Sequence, residues 1–261
     1  MEGIEELIEY IKDRYDKSEM DNIYRKKNIK RHTHPIMSEY VENAVAILIN
    51  AILTKKNKNN DYKYLIDTQL CIENKKGKKS IIRPDIIIYS ENNGINTIHG
   101  IVEVKSQLGY AGNFKKKDYD EKINRIKKSK SLTSKIRKNQ DDIYILKNAV
   151  YSLENKKRIT ENDKKSIEEK KKKIDDLGKD KIYYKVDSNC EDMIVILMTT
   201  NGTRNIDKFK GTNFYVLFKD EKGLTWYNTL NKNQLSTRNN STDKLKNHTF
   251  DVFIEYIKKN F

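Results

Sequence analysis

Apolar residues near the start of the chain recur with the 3.6-residue period of an α-helix. Between residues 3 and 16 they fall on one face of such a helix, at Ile4, Leu7, Ile8, Ile11 and Tyr15. Residues 38 to 54 show the same spacing, and Ser38 is of a residue type that caps helix N-termini. The pattern therefore predicts two amphipathic helices, and we expect the second to pack on a sheet.

Three segments typical of β-strands follow, at residues 62–73, 80–90 and 97–106. They are separated by ENKKGKK and ENNGIN, whose Asn and Gly residues favour hairpin turns. The three segments predict an antiparallel meander. Further strand patterns at residues 193–200 and 214–220, and a helical pattern in the closing DVFIEYIKKNF, indicate an α/β fold.

The segment between these regions, residues 118–180, carries no strand pattern. It contains two charged helical stretches, at residues 141–158 and 161–177, which predict a helical hairpin. Neither an internal repeat nor a Gly/Ser-rich linker divides the chain. The simplest organisation is therefore a single domain over residues 1–261, with a charged helical insertion at about residues 118–180.

Composition and short motifs exclude several classes of protein. No apolar run reaches the roughly 20 residues that span a bilayer, and the N-terminal MEGIEELIEY is acidic where a signal peptide would be basic. Cys71 and Cys190 lack the close Cys or His neighbours of a zinc site. We therefore expect a soluble, cytoplasmic protein without a membrane partner. The chain contains neither GxxxxGK[ST] nor GxGxxG, so we expect no nucleotide cofactor.

Charge is unevenly distributed along the chain. Its 53 Lys and Arg residues exceed its 38 Asp and Glu residues by 15, and residues 111–190 alone contain 24 basic and 14 acidic side chains. Codon bias accounts for the preference for Lys over Arg, but less well for the excess of basic over acidic residues. Clustered positive charge favours a polyanionic partner, because phosphates release counterions when they are bound. The basic residues that we expect to contact nucleic acid are Lys115, Lys116, Lys117, Arg125, Lys127 and Lys128.

Two short motifs fall in the second and third predicted strands: RPD at residues 83–85 and EVK at residues 103–105. A hairpin turn centred near Gly94 would pair residues whose numbers sum to about 188. This register places Asp85 opposite Glu103. The sequence therefore predicts that two carboxylates meet at one point of the hairpin.

Alternation of side chains decides what each face of this hairpin carries. Glu103 and Lys105 share one face, and the other face carries a predicted core layer of Ile86, Ile88, Val102 and Val104. Two close carboxylates raise one another's pKa unless a cation lies between them, and such oxygen ligands suit Mg²⁺ or Mn²⁺. A metal bound there would acidify a water and neutralise charge that develops on phosphorus. Lys105 would orient or deprotonate that water, or stabilise the charge.

The sequence Pro84-Asp85, followed by 17 residues and then Glu103-Val104-Lys105, resembles the signature of the PD-(D/E)xK nuclease superfamily. The resemblance covers residues 38–106 and the strand at 193–200. It implies a restriction-endonuclease-like α-β-β-β-α-β core, with a central mixed sheet flanked by helices. It also implies Mg²⁺-dependent phosphodiester hydrolysis, with Mn²⁺ as a substitute. The implied catalytic residues are Asp85, Glu103 and Lys105, and Asp85 and Glu103 are implied metal ligands.

Members of this superfamily often add a Glu from the helix that precedes the sheet, and Glu39 and Glu42 compete for this role here. Glu42 lies nearer than Glu39 to the apolar stripe of the predicted helix. We therefore choose Glu42 as the third metal ligand and keep Glu39 as the alternative. An ordinary solvent-facing acid is another interpretation of either residue.

The leading hypothesis is an endonuclease of double-stranded DNA, of the sequence-specific type II restriction class. A paired cut requires two active sites, so we expect a homodimer. A structure-selective repair or recombination nuclease, similar to a resolvase, is the first alternative. It would read DNA shape and backbone instead of base edges. The second alternative is a non-catalytic nucleic-acid-binding protein with a nuclease-like fold.

Overall fold

The computed structural model describes residues 4–20, 35–56, 61–107, 114–135, 137–156, 160–179, 181–199, 206–219 and 230–261. The chain divides into two compact units. Unit 1 comprises Met1–Thr68, Arg83–Lys128 and Val186–Phe261, and unit 2 comprises Gln69–Ile82 and Ser129–Lys185. Among the described residues, no helix has the length and apolar character needed to cross a membrane.

The elements, in chain order, are α1 (Ile4–Met20), α2 (Pro35–Lys56), β1 (Lys63–Ile66), β2 (Leu70–Glu73), β3 (Lys79–Ile82), β4 (Ile86–Asn92), β5 (Ile95–Gln107), α3 (Lys116–Lys127), β6 (Ser131–Lys135), α4 (Arg137–Glu154), α5 (Glu161–Lys179), β7 (Lys181–Thr199), β8 (Phe214–Lys219) and α6 (Phe250–Asn260). Short 3₁₀ turns lie at Ile206–Phe209 and Lys232–Gln234. The helices predicted at residues 3–16 and 38–54 and at the end of the chain are therefore confirmed. The predicted cap at Ser38 is wrong, because α2 begins at Pro35 and Ser38 lies within the helix.

The helices of unit 1 bury the apolar stripes that their sequence period predicts. In α2 the buried residues include Val41, Ala44, Val45, Leu48, Ile49 and Ile52. α2 packs against α1 and α6, and also against strands of the sheet. The three helices share one apolar core with β4, β5, β7 and β8. Removing this apolar surface from water is the main force that holds α2 against the sheet.

The sheet of unit 1 is mixed and flanked by these helices. β4 pairs antiparallel with β1 on one side and with β5 on the other, while β7 pairs in parallel with β8. β5 is the neighbour of β7 in the strand order. The predicted α/β fold, the antiparallel arrangement around β4 and the strands predicted at residues 193–200 and 214–220 are confirmed.

Two predicted strands are interrupted, contrary to the expectation from the sequence. Residues 62–73 contain both β1 and β2, and residues 80–90 contain parts of β3 and β4. β1 pairs with β4 in unit 1, whereas β2 pairs with β3 in unit 2. Asp67, whose φ of 47° is left-handed, lies between β1 and β2. Pro84, which has no backbone N–H to donate to a ladder, lies between β3 and β4.

Unit 2 contains the charged helical hairpin and the antiparallel strands β2, β3 and β6. α4 and α5 pack against each other, which confirms the predicted hairpin. The expectation that residues 118–180 contain no strand is wrong, because β6 pairs with β2 and with the first residues of β7. β6 has the sequence SLTSK, with Leu132 as its one apolar residue, so it lacks the alternation that predicts a strand. α3 belongs to unit 1 instead.

The β4–β5 hairpin has the predicted register. Asn93 and Gly94 form its two-residue turn with φ values of 50° and 74°, a geometry that Asn-Gly favours. A one-residue bulge further along the ladder brings Ile86 opposite Val102, and these two numbers sum to the expected 188. The next residues outward are Asp85 and Glu103.

The two faces of this hairpin differ less than the sequence predicted. Ile86, Ile88, Val102 and Val104 belong to the core of unit 1, as expected. The opposite face is not polar throughout, because Ile87 and Ile101 are also buried. The charged part of that face is therefore restricted to the end of the hairpin.

Candidate active site

Backbone hydrogen bonds hold Asp85 at the end of the β4–β5 hairpin. Its side-chain Oδ2 accepts a hydrogen bond of 2.6 Å from the backbone N–H of Val104. Its backbone carbonyl accepts one of 2.8 Å from the N–H of Asp67. Burial raises the pKa of Asp85 above its ordinary value, and the nearby charge of Glu103 adds to this rise. Asp85 and Glu103 therefore lie close enough for their charges to interact.

Two lysines bind the carboxylate of Glu103. Its Oε1 accepts a hydrogen bond of 2.8 Å from Lys105 Nζ, and its Oε2 accepts one of 2.6 Å from Lys122 Nζ in α3. The side chains of Glu103, Lys105 and Lys122 are 17%, 29% and 22% exposed. Burial raises the pKa of Glu103, but the two ammonium groups lower it by more. The carboxyl group is therefore ionised at neutral pH.

Lys105 is protonated in this arrangement. Burial lowers its pKa, but the carboxylates of Glu103 and Asp85 raise it by more, so the pKa lies above its ordinary value. A protonated amine cannot accept a proton from water. Among the roles that the sequence left open for Lys105, the geometry therefore favours orienting a water or stabilising charge.

Glu42 reaches the same site from α2. Burial raises its pKa from 4.5 to about 7, and the charges of Asp85, Asp67 and Glu103 contribute to this rise. The carboxyl group of Glu42 therefore lies near the end of the hairpin, as its position beside the apolar stripe of the helix predicts. The side chain of Glu39, the alternative, lies outside the described residues.

These carboxylates are not arranged as a preformed metal centre. Within the part of the chain that the structure describes, no group of three or more His, Cys, Asp or Glu side chains has an arrangement that could hold a metal ion. Both oxygens of Glu103 accept hydrogen bonds from lysines instead. The donor types still fit Mg²⁺ or Mn²⁺, which prefer carboxylate oxygens. The raised pKa values of Asp85 and Glu42 identify carboxyl groups that a cation would stabilise in their ionised form.

The basic residues predicted to contact nucleic acid lie on α3 and beside its ends. Lys116 and Lys127 form short ion pairs, with Asp120 at 2.5 Å and with Asp192 at 2.7 Å. The other four are exposed and outside these two pairs: Lys115, Lys117, Arg125 and Lys128. The structure thus distinguishes two lysines in short ion pairs from the other four residues, of which Lys117 lies 3.9 Å from Glu121.

Lys122 and Asp67 are residues of this site that the sequence did not predict. α3 buries Tyr119, Ile123 and Ile126. Because Lys122 lies three residues after Tyr119 and four before Ile126, helical spacing places it on the buried side of α3. Reading the basic segment with a helical period would have identified Lys122, whereas Asp67 carries no comparable signal.

A second acidic cluster of unit 1 lies on β7. Asp192 accepts hydrogen bonds from Tyr119 Oη at 3.0 Å and from Lys127 Nζ at 2.7 Å, and Glu191 accepts one from Tyr256 Oη at 2.5 Å. Burial raises the pKa of both tyrosines, and the adjacent carboxylates raise it further. Both phenols therefore keep their protons and act as donors, so each carboxylate of this cluster has its own hydrogen-bond donor.

His99 connects the hairpin to β7. Its Nε2 lies 2.8 Å from Ser90 Oγ, and its Nδ1 lies 3.1 Å from Asp187 Oδ2. The ring of Tyr62 packs edge-on against the imidazole. These contacts join β4, β5 and β7 and so help to fix the strand from which Glu103 and Lys105 project.

Comparison of the chain with family models, with curated proteins and with solved structures finds no match. The class that the structure defines is an α/β fold with a central mixed sheet flanked by helices. Any assignment of function therefore rests on the carboxylates and lysines described above.

Proposed function

We propose that this protein is a Mg²⁺-dependent endonuclease of double-stranded DNA with a restriction-endonuclease-like core. The observation that carries the proposal is the convergence of Asp85, Glu103 and Lys105 at the end of one hairpin. Glu42 lies near the same point from α2. Acids that would hold a divalent cation, with a protonated amine beside them in a half-buried position, suit metal-assisted phosphodiester hydrolysis.

Each residue has a role in this proposal. Asp85, Glu103 and Glu42 would hold Mg²⁺, which supplies an acidified water and neutralises charge on the reacting phosphate. Lys105 keeps its proton and would place positive charge beside that phosphate. Glu42, with a pKa of about 7, would lose a proton when the cation binds, so cation affinity should rise with pH through neutrality.

The basic residues of unit 1 support DNA as the substrate. α3 follows β5 along the chain, and Lys117, Arg125 and Lys128 are exposed on it or at its end. Such side chains would bind backbone phosphates and set the orientation of the duplex. A homodimer belongs to this proposal, because a double-strand cut needs two active sites. Its most specific form is a type II restriction enzyme.

Incubation of the protein with mixed plasmid and phage DNA tests the proposal. We expect cleavage with Mg²⁺ and none with EDTA, and loss of cleavage in Asp85→Ala. Sequencing of the ends distinguishes the forms of the proposal: a common end sequence supports restriction, and ends at branched or damaged sites support a structure-selective nuclease. DNA binding without cleavage in either Mg²⁺ or Mn²⁺ would contradict nuclease activity and favour a non-catalytic binding protein.

A further inference from the structure

The ammonium group of Lys122 contacts an oxygen of Glu103 that would bind the cation in the proposed function. It lies on α3, outside the hairpin, and donates a hydrogen bond of 2.6 Å to Glu103 Oε2. Lys105 donates to the other oxygen, Oε1, at 2.8 Å. Both oxygens of this carboxylate are therefore in charge-assisted hydrogen bonds, which are stronger than bonds between neutral groups.

The local charges account for a second lysine at this position. Asp85, Glu103 and Glu42 bring three carboxyl groups together, and Lys105 supplies one positive charge against them. Against the effect of burial, Lys105 and Lys122 together lower the pKa of Glu103. Lys122 thus provides part of the charge compensation that a divalent cation would provide.

We propose that Lys122 couples cation binding to DNA binding, an inference that rests on the proposed function. A cation that binds Glu103 must compete with Lys122 for Oε2. A DNA phosphate offers the ammonium group another anionic partner, and the flexible lysine stem lets it move while α3 stays in place. DNA therefore frees Oε2 and strengthens cation binding. By linkage, the cation strengthens DNA binding by the same factor.

Calorimetric titration of Mn²⁺ into the protein without DNA tests this competition. Lys122→Gln removes the charge but keeps a donor for Glu103. We expect this variant to bind Mn²⁺ about tenfold more tightly than wild type, because one competing unit charge is removed. Lys63→Gln is the matched control, since Lys63 also donates to a glutamate carboxylate, that of Glu91, but outside the candidate site. Its Mn²⁺ affinity should equal that of wild type.

Wild-type protein supplies a second measurement that does not depend on a variant. Adding a phosphorothioate duplex, which keeps the backbone charge, should raise the Mn²⁺ affinity of wild type by about tenfold. In Lys122→Gln the increase should be clearly smaller. In EDTA, the plot of log binding constant against log salt concentration should be less steep for Lys122→Gln, by ~0.9 in slope, because one fewer phosphate is neutralised.

The outcomes separate this inference from the proposed function. Equal Mn²⁺ affinities of wild type and Lys122→Gln, or no effect of the duplex on wild type, would overturn the coupling even if wild type cleaves DNA. Absence of Mn²⁺ binding in both proteins, together with absence of cleavage, would overturn the proposed function and the coupling with it. The coupling is supported if Lys122→Gln, but not the control variant, binds Mn²⁺ more tightly than wild type without DNA, and if the duplex raises the Mn²⁺ affinity of wild type.

Discussion

Unit 1 contains two acidic clusters, one on β7 and one at the end of the β4–β5 hairpin, and their negative charges are compensated differently. On β7, Asp192 receives hydrogen bonds from a phenol and an ammonium group, and Glu191 receives one from a phenol. At the end of the β4–β5 hairpin, Asp85, Glu103 and Glu42 lie within electrostatic reach of one another. Two lysines contact one of these three carboxylates.

This difference suggests different roles: the β7 cluster supports the fold, whereas the hairpin cluster is a candidate for chemistry. In the β7 cluster the donors keep their protons, because burial and the carboxylates raise the tyrosine pKa values. In the hairpin cluster the carboxyl groups themselves are perturbed, since burial and like charge raise the pKa of Asp85 and Glu42. A fold gains no stability from crowding like charges, so such a cluster is a candidate for function.

The largest expected effect concerns Lys105. Lys105→Ala should lower the rate of Mg²⁺-dependent DNA cleavage by about 100-fold or more, because it removes positive charge next to the reacting phosphate. DNA binding, measured by mobility shift, should change little. Lys63→Ala is a suitable control, since Lys63 also pairs with a Glu, at 2.5 Å from Glu91, but on the exposed surface. Equal cleavage by Lys105→Ala and Lys63→Ala would remove the hairpin cluster from the proposed chemistry.

A smaller effect is expected for stability at Glu42. Because its pKa in the folded protein, about 7, exceeds the ordinary 4.5, the folded state holds a proton that the unfolded state loses between these pH values. Wild type should therefore lose stability as pH rises from 4.5 to 7, and Glu42→Gln should lack this loss. The stability gap is the free energy of unfolding of Glu42→Gln minus that of wild type. Since Glu42 is partly exposed, this gap should grow by only about 1–2 kcal/mol.

Urea unfolding of wild type and Glu42→Gln at a series of pH values measures this gap. It should increase between pH 4.5 and 7 and stay constant above about pH 8. A gap that does not change with pH would show that Glu42 is an ordinary surface acid. In that case Glu42 would not belong to the hairpin cluster.

The smallest expected effect concerns the exposed basic residues. Replacing Lys115 and Lys117 by Gln should weaken DNA binding and reduce the salt-dependence slope by about 0.9 for each phosphate that is no longer neutralised. Replacing Lys116 and Lys127 should reduce it less, because their ammonium groups already contact Asp120 and Asp192. Equal slopes for the two double variants would show that these ion pairs do not limit DNA binding.

Local turn chemistry made the hairpin predictable. Asn93-Gly94 favours a two-residue turn, which pairs Asn92 with Ile95. A bulge that the sequence did not predict then shifts the register by one residue, so that Asp85 and Glu103 follow the pair of Ile86 and Val102. The helical period likewise indicated Glu42, whose carboxyl group lies within electrostatic reach of Asp85 and Glu103. In each case, the signal is contained in a few consecutive residues.

Features that depend on pairing between distant segments were not predictable in the same way. β6 is a strand because it pairs with β2 and β7, since its own sequence has one apolar residue and no strand pattern. The break near Pro84 divides runs that look continuous in sequence. Helical spacing places Lys122 on the buried side of α3, but its contact with Glu103 depends on how α3 packs.

The most direct test compares Asp85→Asn with Asp192→Asn, one substitution in each acidic cluster, by DNA cleavage and by free energy of unfolding. Asp85→Asn should lose Mg²⁺-dependent cleavage and keep its stability, because an amide oxygen can still accept from Val104 N–H. Asp192→Asn should lose about 1–3 kcal/mol of stability, since Lys127 and Tyr119 lose a charged acceptor, and the folded protein should still cleave DNA. Cleavage by Asp85→Asn at the wild-type rate would contradict the catalytic role of the hairpin cluster.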